Sequence, residues 1–200
     1  MTVLGLALAG CGQIALPGQG AQAPDPRTGL TRAALEARGQ PTLYASVPQM
    51  GTAALLGLSG RNGDVLTWQT PDNVSLSFAA GVLTATRGLG PDLMTAETDG
   101  TRALLADRAA APSHVLRHSY LDGENRPQIR EYQCRLAGRG SETITIVGTR
   151  HEVTRLAETC RADGLEFTNT YWRGGDGVIW KSRQWIAPDI GHLRTERLIR

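Results

Sequence analysis

Tight-turn signals recur along this chain at short intervals, and short segments with the composition of β-strands lie between them. Asn62-Gly63 separates two such segments, residues 52–58 and residues 65–70. A Gly-rich turn at residues 174–177 divides another pair in the same way. Turns of this composition match the twist of antiparallel hairpins. The succession of hairpins predicts an all-β fold, an antiparallel meander whose sheet or sheets are partly folded on themselves.

The predicted strands follow one another from residue 41 onward. They comprise residues 42–47, 52–58, 65–70, 74–78, 114–121, 128–136, 143–147, 167–173, 178–186 and 192–199. Residues 152–160 fit either a strand or a helix, because their apolar residues have helical spacing while the neighbouring segments are strands. We interpret this segment as a strand.

Residues 177–190 resemble residues 81–93. In both segments a Gly opens a strand, the strand ends at an Arg, and a Pro-Asp pair follows. We interpret the match as one structural unit, a strand followed by a change of chain direction. It occurs once in each of two related halves, about 41–98 and 112–200. Residues 99–111 permit a helix that would bridge the halves. Neither segment contains a nucleophile–base pair or a metal-ligand cluster, so the match predicts architecture rather than chemistry.

The N-terminus carries the most specific motif. Leu8-Ala9-Gly10-Cys11 matches the lipobox of bacterial lipoproteins, in which small residues permit signal cleavage and the Cys thiol is then lipidated. Residues 1–11 are therefore predicted to be a lipoprotein signal, and their lack of a cationic start leads us to expect a truncated one. Gly12 rather than Asp after the Cys favours the outer membrane. The alternative is an apolar N-terminal strand with an ordinary buried Cys.

The next segment has the composition of a linker. Residues 12–27 are rich in Gly, Gln, Ala and Pro, which predicts a flexible tether. Residues 28–200 then form a single β-rich domain that begins with a short helix over residues 28–38, with Gly39 as its stop. The expected location is the outer membrane, with a lipid anchor and the domain in the periplasm.

Composition excludes several classes of function. The net charge is +2 and the basic residues form no stripe, so nucleic acid is not an expected partner. None of the His residues has other ligands at the spacing of a zinc site, and candidate Ser nucleophiles lack the glycine-flanked elbow of hydrolases. We therefore predict no metal, no cofactor and no catalytic residue.

Two cysteines remain once Cys11 is assigned to the lipid. Cys134 and Cys160 form an even pair in an exported chain, and the periplasm is oxidising. A disulfide between them is the expected state. Two separate buried thiols are the alternative.

Three of the four Trp residues lie in the last predicted hairpin. Alternation along residues 178–186 places Trp180 with Ile186 on one face and Arg183 with Trp185 on the other. Aromatic rings beside Arg suggest a candidate surface for stacking on sugars, made of Trp172, Trp180, Arg183 and Trp185. Core packing with cross-strand aromatic pairs is the alternative, and we favour it.

Blocks of residues spread over most of the chain match those of one known family. They are Leu8-Ala9-Gly10-Cys11, Leu43-Tyr44-Ala45, Trp68, Gly81, Thr86-Arg87-Gly88-Leu89, Asp92-Leu93, Asn169-Thr170-Tyr171-Trp172 and Ser182-Arg183-Gln184-Trp185. In these blocks the chain resembles the YjbF/GfcB-type lipoproteins of bacterial capsule and exopolysaccharide secretion. The resemblance implies an antiparallel sheet folded partly on itself and a role in extracellular polysaccharide production. It carries over no catalytic residues.

We therefore predict a lipid-anchored periplasmic accessory protein of capsule or exopolysaccharide production or export, without catalytic activity. Its expected partners are the membrane, reached through the lipid anchor, together with polysaccharide and proteins of the export machinery. One alternative is a carrier of lipid or lipid-linked glycan, which needs an apolar concavity. The other is a glycan-modifying enzyme, which needs carboxylates or a triad converging in a cleft.

Overall fold

The computed structural model describes residues 24–106 and 113–200, so the predicted lipobox at Cys11 lies outside the described residues. The helices are α1 (Arg32–Arg38) and α2 (Asp99–Leu105). The strands are β1 (Thr42–Val47), β2 (Thr52–Asn62), β3 (Val65–Gln69), β4 (Ser75–Ala79), β5 (Val82–Arg87), β6 (Thr95–Glu97), β7 (Ser113–Leu121), β8 (Pro127–Ile146), β9 (Thr149–Ala162), β10 (Leu165–Gly174), β11 (Ile179–Ala187) and β12 (Gly191–Ile199). No helix within these ranges is long and apolar enough to cross a membrane.

The strands within these ranges form one antiparallel sheet. Their order is β5-β4-β3-β2-β1-β12-β11-β10-β9-β8-β7-β6. Neighbours in the sheet are consecutive along the chain, except that the first strand pairs with the last. This pairing joins two runs of hairpins and leaves β5 and β6 as the sheet edges. The predicted all-β antiparallel meander is confirmed.

The loop after β5 brings the two sheet edges together. The amide of Thr86 donates to the carbonyl of Leu93 (2.9 Å), and the Arg87 guanidinium donates to the same carbonyl (3.1 Å). The Asp92 carboxylate accepts from the Thr86 hydroxyl and from the Gly88 amide, both at 2.8 Å. The sheet is therefore nearly closed, and its concave face becomes an interior.

Apolar side chains from distant strands fill the centre of this interior. Trp68 and Leu76, on β3 and β4, pack in one cluster with Ile186 and Leu193, on β11 and β12, and each is at most 2% exposed. Burying a side chain of this size stabilises a fold by about 1.5–3 kcal/mol. The centre of the interior is therefore packed rather than hollow.

Helix α1 covers part of the outer face. The Thr31 hydroxyl accepts a hydrogen bond from the amide of Ala34 (3.1 Å), and Gly39 ends the helix in a left-handed conformation (φ 62°) that suits Gly. Leu35 is fully buried in a second apolar cluster that includes Tyr44 and Trp180. The short N-terminal helix was predicted, although it begins four residues later than expected.

Two predicted segments merge in the structure. The prediction of separate strands at residues 128–136 and 143–147 is wrong, because one 20-residue strand, β8, covers both. The side-chain alternation is interrupted around Gly138, where the register shifts, yet backbone pairing with β9 continues on both sides. The strand interpretation of residues 152–160 is confirmed, since they lie within β9.

The central part of the chain differs from the prediction in two ways. Helix α2 ends at Leu105, and part of the helix predicted over residues 99–111 lies outside the described residues. The sequence patterns did not indicate β6, because a strand of three residues is too short to show an alternation.

Both segments of the predicted repeat contain a strand. β5 is an edge of the sheet, whereas β11 lies within it, and the two face each other across the interior. Gly81 has φ 84°, and a Cβ atom there would lie 2.4 Å from Cγ1 of Ile179. Gly is therefore required at this contact both by the backbone conformation and by the close approach. The duplication itself stays a prediction.

Cys134 and Cys160 form a disulfide bond between β8 and β9. They are directly opposite each other in the two strands, and their Cα atoms are 4.0 Å apart. Both are buried beside Phe167 and Tyr132. The bond therefore links neighbouring strands of one hairpin within the apolar core.

Candidate binding groove on the outer face

Two rows of side chains cross neighbouring strands on the face opposite the packed interior. The first row, on β1, β12, β11 and β10, consists of Tyr44, Glu196, Lys181 and Trp172. The second row, on β1, β12 and β11, consists of Ser46, Arg194 and Arg183. With Arg27 these side chains line a groove of about 320 Å³. We call it the outer groove.

The outer groove carries more positive than negative charge. Glu196 is its acidic side chain, and it lies 2.6 Å from Nη1 of Arg27 and 3.9 Å from Nζ of Lys181. Arg27 also pairs with Asp25. One carboxylate in the groove is thus shared by two cations, and the arginines of the second row have no acidic neighbour in that row.

Arg183 and Arg194 face each other directly across β11 and β12. Among the described residues, none forms a hydrogen bond or ion pair with the exposed Arg194 side chain. Like charges opposite each other in a sheet destabilise it. Burial, together with the charge of Arg194, lowers the pKa of Arg183 from its usual value. The two arginines therefore form a pair of like charges without an acidic partner among the described residues.

Hydrogen bonds hold Arg183 in place. Its guanidinium donates to the carbonyl of Thr168 (3.0 Å) and to Nδ1 of His192 (2.9 Å), while Nε2 of His192 lies 3.1 Å from the same carbonyl. Since a carbonyl only accepts and a guanidinium only donates, His192 is neutral with its proton on Nε2. Burial and the charge of Arg183 lower the pKa of His192 to about 4.

Trp172 forms an aromatic wall at the end of the first row. Its indole Nε1 donates to Glu142 (2.9 Å), and Nζ of Lys181 lies 5.0 Å from the ring centroid. Arg155 lies 5.9 Å from the same ring. The half-buried ring is therefore held by one hydrogen bond and lies near two cations.

The other two Trp residues of the predicted binding surface lie elsewhere. Trp180 packs on His151 with ring centroids 3.9 Å apart, and Trp185 stacks on Phe167 at 5.1 Å. The prediction that Trp180 shares a face with Ile186 is wrong, because the register shift between β10 and β11 interrupts the alternation and the two belong to different clusters. Of the four predicted residues, the outer groove contains Trp172 and Arg183.

The sequence reasoning did not identify Lys181, Arg194 and Glu196 as groove residues. Their proximity depends on the register of β12 with β1 and β11. The turn at residues 188–190 is the one local signal that could have suggested the Arg183–Arg194 pair, because it joins β11 to β12.

The comparison with protein families covers nearly the whole chain. A family model described as "Group 4 capsule polysaccharide lipoprotein gfcB, YjbF" matches residues 5–198. The chain belongs to this family. The resemblance seen in the sequence blocks is thus confirmed, and membership supports a role in capsule production.

A solved structure shares the fold of this chain. The crystal structure of the hypothetical lipoprotein YmcC from Escherichia coli K12 is similar with a TM-score of 0.72 and 19% sequence identity, over 86% of this chain and 89% of that chain. Identity at this level shows a shared fold alone. No curated protein sequence matches the chain.

The chain also contains a buried acidic cluster. Glu158 is 0% exposed and accepts hydrogen bonds from Thr101 (3.2 Å), Asn169 (3.1 Å) and Tyr171 (3.2 Å). His114 Nε2 lies 3.0 Å from the same carboxylate.

The Cys134 sulfur lies near this carboxylate and the His114 ring, a grouping that resembles a metal site. Because that sulfur belongs to the disulfide, it offers no thiolate. The cluster therefore joins α2 to β7, β9 and β10 as a hydrogen-bonded unit of the fold.

Proposed function

We propose that this chain is a lipid-anchored accessory protein that binds acidic capsule polysaccharide in its outer groove and does not modify it chemically. The observation that carries the proposal is the uncompensated pair of Arg183 and Arg194 beside Trp172. Membership in a capsule lipoprotein family supplies the biological setting.

The chemistry of the outer groove suits a polymer that contains uronate sugars. A carboxylate placed between Arg183 and Arg194 would relieve their repulsion and form charge-assisted hydrogen bonds with Arg194. The face of Trp172 provides a flat apolar surface for a sugar ring next to that carboxylate. Acidic glycan is therefore the substrate class that we assign to the groove.

A role in binding rather than catalysis is supported by the state of the buried acid. Glu158 is enclosed by its hydrogen-bond donors and has no exposed surface, so a glycan in the outer groove would not reach it. The carboxylate in the groove, Glu196, is engaged by two cations. These acids serve as structural partners.

The position of the N-terminal segment is consistent with an anchor at Cys11. Asp25 and Arg27 lie against the outer groove, where the Arg27 guanidinium is 3.9 Å from the ring centroid of Tyr44. The chain between Cys11 and Pro24 spans at most about 45 Å when fully extended. An outer-membrane anchor would therefore keep the groove close to the periplasmic surface of the bilayer.

Glycan binding is tested by titrating the purified domain with polygalacturonate oligosaccharides at low salt, with dextran of matched length as the neutral control. We expect Arg194→Gln to weaken polygalacturonate binding at least tenfold, because it removes an exposed cation without a folding role. Arg150→Gln, an exposed change on the β8–β9 hairpin, is the matched control and should bind like the wild type. Equal binding of dextran, or unchanged binding by the Arg194 variant, would overturn the proposal.

Anchoring is tested separately in cells. The protein, expressed behind a complete lipoprotein signal peptide, should incorporate radioactive palmitate and fractionate with outer membranes. Cys11→Ser should lose both properties. Label retained by this variant would show that the lipobox interpretation is wrong.

A further inference from the structure

A second cleft opens at one end of the nearly closed sheet, on the inner face. Its volume is about 360 Å³. Leu43, Leu66, Phe78 and Ile179 form apolar walls, and three of them belong to or pack against the central cluster of the interior. We call it the end cleft. It shares neither Arg183 nor Arg194 with the outer groove.

Arg197 lines this cleft without a hydrogen-bond or ion-pair partner among the described residues. Its guanidinium lies 5.2 Å from the ring centroid of the buried Trp68, and none of the described residues accepts a hydrogen bond from it or forms an ion pair with it. A guanidinium has five N–H donors and does not lose its charge in proteins. A half-buried Arg with no acceptor among the described residues, beside apolar walls, is available to pair with an anion that enters the cleft.

The other charged residues at the end cleft also favour binding of an anion. Arg61 lines the rim as a second cation. Burial of Arg197 lowers the pKa of its guanidinium, and the charge of Arg61 lowers that pKa further. The acids at the mouth are engaged elsewhere, because Asp64 pairs with Arg102 and Asp176 pairs with Arg200. The end cleft is therefore cationic at one side and apolar at the others.

We propose that the end cleft binds a small amphipathic anion, whose acidic head contacts Arg197 and whose hydrocarbon packs against Leu43, Leu66 and Phe78. If each methylene group occupies about the volume of a water molecule in the liquid, roughly 30 Å³, the cleft has room for roughly twelve such groups. A single short acyl chain or a small aromatic acid fits this size and matches the apolar walls. This site is additional to glycan binding and does not depend on it.

The head group can be a carboxylate or a phosphate, since Arg binds both with paired hydrogen bonds. Either source of the anion requires the same arginine and the same apolar walls. The relative affinities of a carboxylate and a phosphate with the same hydrocarbon chain distinguish a fatty acid from a lipid phosphate.

The test uses two fluorescent probes that differ by one group. 1-Anilinonaphthalene-8-sulfonate carries an anionic sulfonate, and N-phenyl-1-naphthylamine is the same ring system without it. The wild-type protein should bind the sulfonate probe at one site, and Arg197→Gln should weaken that binding at least tenfold while changing binding of the neutral probe less than twofold. Arg150→Gln, at an exposed position on the β8–β9 hairpin outside both clefts, is the matched cation control and should leave binding of both probes unaffected.

A second variant covers the case in which Arg197→Gln fails to fold. Leu66→Trp adds bulk at the half-buried wall and should abolish binding of both probes while thermal unfolding stays cooperative. Displacement of the sulfonate probe by decanoate and by decyl phosphate then identifies the preferred head group. Sulfonate binding that survives Arg197→Gln, or both probes weakened equally by it, would overturn the proposal, as would absence of binding by the wild type.

Discussion

Gln184 and Leu83 are hydrogen-bonded to each other across the interior of the sheet. Oε1 of Gln184 accepts from the amide of Leu83 (2.8 Å), and its Nε2 donates to the carbonyl of Gly81 (3.0 Å) and to the Ser182 hydroxyl (2.9 Å). One amide side chain thus fastens the edge strand β5 to β11. Gly81 and Gln184 both belong to residue blocks that the chain shares with the family, so two of these blocks meet at this contact.

The first prediction concerns this connection. Gln184→Leu should lower the free energy of unfolding by about 2–3 kcal/mol, because the buried amide of Leu83 loses its acceptor. Gln133→Leu, an exposed change on β8, should shift it by less than about 0.5 kcal/mol. Urea unfolding of both variants measures the difference, and equal stability of the two would contradict the proposed connection.

The second prediction concerns the buried carboxylate. Glu158→Leu should cost about 3–5 kcal/mol, because removing one partner of a buried polar cluster leaves His114 and three hydrogen-bond donors unpaired. Glu158→Gln keeps the shape and an acceptor oxygen, so its loss should be smaller. Glu152→Leu, at an exposed position on β9, should have little effect in the same thermal unfolding series. A mild loss in Glu158→Leu would mean that the cluster is dispensable.

The third prediction concerns acid sensitivity. Burial lowers the pKa of His118 to about 4, whereas the pKa of His in the unfolded chain is about 6.5. The folded state therefore favours neutral His118, and its contribution is complete above pH ~6.5 and is lost as the pH falls from there to about 4. The loss amounts to roughly 3 kcal/mol.

The measurement is the unfolding free energy of the wild type and of His118→Phe at several pH values in this window. Phe preserves the edge contact with Tyr132, whose ring centroid is 5.4 Å away, but cannot bind a proton. The variant should therefore show the shallower slope, although His192 still titrates in the same window. Parallel slopes would exclude His118 as a source of acid sensitivity.

The fourth prediction concerns the disulfide. Its cysteines are 26 residues apart, so the chain-entropy account assigns the bond about 3–4 kcal/mol. Cys134→Ala combined with Cys160→Ala should clearly lower the melting temperature of the oxidised protein. In reducing buffer the variant and the wild type should melt almost together, since Ala replaces a small buried side chain. Equal losses in both redox states would assign the cysteines a packing role alone.

The sequence by itself determined the local part of this protein. Strand β1 was predicted with the bounds that the structure has, and the hairpin at Asn62-Gly63 was predicted from its turn. Turn residues and alternation depend on neighbours a few positions away, so they can be interpreted without the fold. The lipobox and the family blocks belong to the same class of local information.

The tertiary structure decided which distant strands pair and in what register. The pairing of β1 with β12 joins the two runs of hairpins into one sheet, and the register of β11 with β12 places Arg183 opposite Arg194. The register shift at Trp180 overrides the alternation that the sequence predicts there. Arg197 has no hydrogen-bond or ion-pair partner among the described residues, and the apolar walls around it come from four other strands. Register and burial depend on the total packing of all strands, and no short segment of sequence contains that information.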